Sequence, residues 1–236
     1  MTTITTAPSS VREQVARLTH QRISEWQGRY LADDAKAVAA LARLRRGAGR
    51  NAGQLPDLWE LVDSSPLHER PRDARALSEG ELSRAEEAVH TALTLWALHQ
   101  QARNTGMHQL HRRELPRGLG AAVHRLMSAG EIDEPLRKRL VRAGTAPDLT
   151  TLAQRLRDIV VLLRREEVRL DYALLAGQLY QWQWPGGADT VRTEWGRSFH
   201  AWRGDDELWQ QPTAAPADAG DDSIDTETDT TTKDAS

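Results

Sequence analysis

Apolar residues recur along most of this chain every three or four positions and almost nowhere at every second one. Val11, Val15, Leu18, Ile23 and Trp26 form one such stripe, which predicts an amphipathic helix. Ala35, Val38, Ala39, Leu41, Ala42 and Leu44 form a second, halted by Gly47. "PDLWELV" at 56–62 has room for a short helical segment. Leu82, Ala85, Val89, Ala92, Leu93 and Trp96 follow Ser83 and Glu86, a pair with capping-box spacing. Leu119, Ala122, Val123 and Leu126 place another helix within 119–128.

The second half is denser. Asp133 or Glu134 caps a helix through Arg142, with Pro135 in its first turn and Gly144 past its end. Asp148 opens the next, whose core face is Leu152, Leu156, Ile159, Val160 and Leu163. Asp171 opens "YALLAGQLYQWQW", which "PGG" at 185–187 breaks. Val191, Trp195, Phe199 and Trp202 then share one helical face. The pattern predicts an all-α fold of about eight or nine helices without internal repeats. Polar stretches at 47–55, 64–78 and 103–118 read as loops. The last of them is expected to divide an N-terminal helical unit, 11–105, from a C-terminal helical bundle, 106–203.

Composition alters this picture chiefly at the ends. From Gly204 onward the chain carries ten acidic residues and one lysine, so the remaining 30 basic and 24 acidic residues leave 1–203 at a net +6. Residues 204–236 are acidic, and nearly free of large apolar groups after Trp209; with residues 1–10 they are expected to be disordered. "MTTITTAPSS" lacks the basic and apolar regions of a signal peptide, and no apolar run reaches membrane-spanning length. The absence of cysteine fits a reducing compartment, and the expected location is the cytoplasm.

Candidate chemistry is sparse. His108 and His111, with His99 nearby, have the residue type of a metal site and suggest a metal-dependent nuclease as one reading. No cysteine or well-spaced acidic pair completes the ligand set, so they read as polar loop histidines and no metal or cofactor is expected. No phosphate loop or nucleophile motif is present in the sequence. The pairs Glu86–Glu87 and Glu166–Glu167 read as exposed, solvating positions. Trp96, Trp182, Trp195 and Trp202 fall on core-facing periodicities, while Trp26 and Trp59 suit either packing or base stacking.

Arginine placement carries more. Of the 31 basic residues, 28 are arginine, a bias that G- and C-rich codon usage also produces. Arg45-Arg46 stands at a helix tip, where cations suit the negative end of the macrodipole and Gly47 suits a left-handed cap. The same tip can grip phosphate. On the helix after Pro135, Lys138 and Arg142 lie one turn apart with Arg139 beside them, and no carboxylate lies between 135 and 147. On the next helix Arg157 and Arg164 share one flank and Arg155 takes the other. Such clusters on a basic body favour a polyanion partner over a merely solvated face. "LAQRL" within 152–156 is familiar from helix-turn-helix regulators, the alternative reading. Here the helical pattern runs on to Glu166 without the required break.

Taken in order, "AALARLRRG", "LPDLWELV", "TALTLWALHQQ", "MHQLHRR", "GLGAAVHRL", "LRKRLVRAGTAPDLTTLAQRLRDIVVLLRRE" and "LDYALLAGQLYQW" resemble the CasB-type small subunit of the type I-E CRISPR Cascade complex over about 30–203. The resemblance implies two helical units and no enzymatic activity. It implies two copies along the complex, beside guide CRISPR RNA and target or displaced single-stranded DNA, in contact with the large and backbone subunits. It carries nucleic-acid binding onto Arg45, Arg46, Arg142, Arg155 and Arg157, and by location alone onto Arg112 and Arg113. Lys138, Arg139 and Arg164 join them on placement.

Overall fold

Each helical stripe closes against its neighbours in a computed structural model that describes residues 10–69, 76–127 and 133–201. The expected disorder of 1–10 and 204–236 therefore concerns segments that lie, apart from Ser10, outside the described residues, as does Trp202. The described part belongs to one compact unit, Met1–Gly204. It is all-α: α1 Val11–Leu31, α2 Ala35–Leu44, α3 Trp59–Val62, α4 Ser65–His68, α5 Glu79–Gln100, α6 Leu119–His124, α7 Glu134–Gly144, α8 Leu149–Arg165, α9 Tyr172–Trp182 and α10 Gly187–Ala201. Short 3-10 turns join α2 to α3. No described helix is long and apolar enough to cross a membrane.

α5 is the centre. It is apolar or small on nearly every side from Ala85 to Leu98, as a helix surrounded by others must be. α1, α2, α8 and α9 pack around it, α1 also lies along α9, and α10 packs on α6 and α9. Helices from both sides of residue 105 thus share one core. Trp96, Trp182 and Trp195 are buried, the last two stacked with ring centres 5.8 Å apart. Between α6 and α10 the backbones nearly touch. A Cβ on Gly120 would lie 2.0 Å from the Trp195 carbonyl oxygen, so only glycine fits there.

Three local expectations are corrected. The capping box of α5 is Ser78 with Glu81, five residues before Ser83 and Glu86; both pairs have the spacing, and the helix extends to the earlier one. The left-handed glycine after α2 is Gly49, at φ +83°, whereas Gly47 ends a 3-10 turn with ordinary backbone angles. Gly47 is small for another reason: a Cβ there would lie 2.7 Å from Thr94 Cγ2 of α5 and 2.9 Å from Leu58 Cδ1. Glu86 and Glu87 are half-buried rather than solvated, because the chain after α2 folds back over that face of α5. The helix signals at Asp133, Asp148 and Asp171 hold, each side chain accepting a backbone N–H in the first turn.

Candidate nucleic-acid interface

The basic residues of α7 are exposed because the helix has so little to bury. Only Leu140, Ala143 and Gly144 are fully enclosed, so Lys138, Arg139 and Arg142 stand in solvent. Arg137 is held by a bidentate pair with Glu134, which the Arg137 guanidinium keeps below the usual carboxylate range. α8 has a wider stripe, six buried residues, which pushes its cations to the two flanks. Arg155 leans toward α7 and donates to the Arg142 carbonyl, satisfying an orphan acceptor near the end of that helix. Asp148, at the start of α8, is held below the usual carboxylate range, first by the Thr151 backbone N–H and to a lesser degree by Arg155.

The opposite flank meets the chain that follows α2. A Cβ at Gly49 would lie 3.5 Å from both Arg157 Cδ and Gln154 Cγ, and Thr150 Oγ1 donates to Asn51 Oδ1 at 2.8 Å. Arg45 and Arg46, a few residues earlier on the same stretch of chain, are exposed. Arg50, exposed on the same turn, was invisible to helix patterning because it lies beyond the glycine. The loop at 45–51 carries Arg45, Arg46 and Arg50, α8 carries Arg155 and Arg157, and α7 carries Lys138, Arg139 and Arg142; the loop meets α8 at Gly49 and Asn51, and α8 meets α7 at Arg155.

These cations differ in their partners. Arg46 approaches Asp57 at 3.3 Å, an exposed pair. Among the described residues no ion pair engages Arg45, Arg50, Arg112, Arg113, Lys138, Arg139, Arg142 or Arg157. Asp158, exposed beside Arg157, and Glu114, exposed beside Arg113, are the nearest acids in sequence. Arg164 stands apart: its Nη1 donates to Gln101 Oε1 at 2.7 Å, fastening α8 to the end of α5. Arg112 and Arg113 are exposed on a tight turn closed by mutual backbone hydrogen bonds between Arg112 and Leu115, beside the start of α9 and not on the α7–α8 face.

That turn is held by the histidines that resembled a metal site. The Tyr172 backbone N–H donates to His108 Nδ1 at 3.2 Å, so Nε2 carries the proton and donates to His20 Nδ1 at 2.9 Å. The Arg117 N–H donates to His111 Nδ1, and His99 Nδ1 meets the Tyr172 hydroxyl at 2.9 Å. Asp171 accepts the backbone N–H groups of His111 and Leu174. Burial depresses His108 to about 4 and His99 to about 3, keeping both neutral. Both His108 nitrogens and the Nδ1 atoms of His99 and His111 are thus engaged within the fold. "LAQRL" lies inside the unbroken helix α8, which removes the turn a helix-turn-helix requires.

Comparison with known proteins agrees with this architecture. The family model of CRISPR-associated protein Cse2 matches residues 40–200. The crystal structure of CasB from Thermobifida fusca superposes with a TM-score of 0.69 at 51% identity, covering 79% of this chain and 97% of that one. No curated protein matches the chain.

Proposed function

Because the chain belongs to the CRISPR-associated Cse2 family, the CasB-type small subunits of type I-E Cascade, we propose that it is a non-catalytic subunit that grips nucleic-acid backbone. It does so without sequence preference and steadies the R-loop during antiviral DNA interference. The observation that carries this reading is the set of exposed cations on the 45–51 loop, α8 and α7, three adjoining elements, most of them without a carboxylate partner among the described residues. Like charges one helical turn apart oppose each other unless an anion lies between them. Phosphates of guide CRISPR RNA, or of target or displaced single-stranded DNA, supply that anion. Sequence is then read by guide–target pairing, leaving the protein to follow backbone and shape. Arg112 and Arg113 offer a separate contact, and Arg164 adds charge while tying α8 to α5. The protein partners in this reading are the large subunit, the backbone subunits and a second copy of the chain, in the cytoplasm.

The test is a salt titration of binding to unrelated single strands and duplexes. Alanine at Arg45, Arg142 or Arg157 weakens binding about equally for every sequence. Each lost contact flattens the slope of log affinity against log salt by about 0.7 for single strands and about 0.9 for duplex. Unchanged slopes, or a loss confined to one sequence, would overturn the assignment.

A further inference from the structure

The chain that follows Arg45 and Arg46 builds, with α5, an acidic and aromatic cleft. Ala52, Trp59 and Ser64 face Glu86, Glu87 and His90 of α5 around a cleft of about 410 Å³. Trp59 is 60% exposed, the most exposed large apolar side chain described, yet its indole is tethered: Nε1 donates to the Ala52 carbonyl at 3.3 Å. The Glu86 Oε1 atom takes both the Ser64 hydroxyl, at 3.1 Å, and His68 Nε2, at 2.8 Å. Its Oε2 atom has no hydrogen-bond partner among the described residues. Both Glu87 oxygens share a single donor, the Ala52 N–H, at 3.1 and 3.3 Å. His90 is only 1% exposed, and neither ring nitrogen makes a well-formed hydrogen bond. Burial keeps His90 below the ordinary imidazole range, with the Arg50 backbone opposing that shift, and lifts Glu87 above the ordinary carboxylate range.

We propose that this cleft receives the guanidinium of an arginine side chain from a protein partner. Its unused valences are acceptors: the carboxylate oxygens, the lone pair of a neutral imidazole and the face of an indole. A planar cation with five forked donors can meet several of them at once, which an ammonium on a flexible stem does less well. Two carboxylates repel phosphate, so this cleft suits a protein cation rather than nucleic acid. The inference stands on the cleft alone and does not need Arg45 and Arg46 to bind phosphate.

The full-length protein, with its tryptophan indoles labelled for NMR, tests this directly. Titration with N-acetyl-L-arginine amide moves the Trp59 indole resonance saturably, while the neutral isostere N-acetyl-L-citrulline amide and an oligothymidylate leave it in place. Glu86→Gln and Glu87→Gln each weaken that response about fivefold, near 1 kcal/mol. An unchanged melting temperature of Glu86→Gln separates this loss from unfolding. Equal responses to arginine and citrulline amides, or none to arginine, would overturn the proposal. So would movement of Trp59 by oligothymidylate together with loss of DNA affinity in Trp59→Ala, which would make the indole a base platform. Unchanged salt slopes in the arginine variants described above, with the arginine response intact, would instead count against phosphate binding alone.

Discussion

The joint around His108 and the face made by α7 and α8 are both dense in ionisable side chains, yet they end differently. In the joint each named group closes on another through at least one of its atoms: His108 on His20 and the Tyr172 amide, His99 Nδ1 on the Tyr172 hydroxyl, Asp171 on two backbone N–H groups. On the face, Lys138, Arg139, Arg142 and Arg157 end in solvent. A buried polar group costs free energy unless it is hydrogen-bonded, so closure inside the chain marks a structural role. An exposed cation without a partner is bearable in water and leaves its valence for something else. Side-chain type alone does not separate the two cases; the state of each hydrogen-bonding valence does.

The largest effect should come from opening the joint. Asp171→Ala leaves the part-buried backbone N–H donors of His111 and Leu174 without their acceptor and uncaps α9, at a cost of about 2–3 kcal/mol. Urea denaturation should show that loss, while the folded fraction keeps the parental salt slope for nucleic acid. A stable variant with weakened binding would erase the contrast between the two regions.

Acid should attack the same place. In the unfolded chain His108 and His99 titrate near 6.5, but folding lowers them to about 4 and about 3. The unfolded state therefore binds protons first as pH falls. Stability is complete above about pH 6.5, is lost progressively down toward pH 3–4, and amounts to a few kcal/mol across that window. Urea midpoints measured between pH 7 and pH 4 should fall, and His99→Gln should flatten the dependence. A pH-independent midpoint would show that the joint does not hold its histidines neutral.

Arginine replacements sharpen the comparison from the other side. Arg164→Ala breaks a bond to Gln101 and should lower stability by about 1 kcal/mol. Arg157→Ala, on the same flank, should leave stability within about 0.5 kcal/mol and flatten the salt slope more. Equal behaviour of the two would mean that the bond to Gln101 is immaterial. The smallest effect belongs to Asp57→Ala, which releases Arg46 from an exposed pair worth about 0–1 kcal/mol and should tighten binding to single strands about twofold at low salt. Weaker binding in that variant would show that Asp57 positions Arg46 rather than competing for it.

The sequence by itself determined the class of fold, the central apolar stripe of α5, the caps at Asp133, Asp148 and Asp171, and the cations left outside the stripes on α7 and α8. Those features are local. A helix repeats every 3.6 residues and a cap acts across three, so a window of one or two turns holds the whole signal. Only the tertiary structure decided that Gly47 must be small against Thr94 while Gly49 takes the left-handed turn. It likewise decided that Glu86 and Glu87 wall a cleft, that Arg164 is bound to Gln101 and that His108 reaches His20. The contacts of Glu86, Arg164 and His108 join residues between 18 and 88 positions apart. No local period encodes such a meeting, because it arises when apolar faces close over α5 and the polar groups beside them must find acceptors or remain in water.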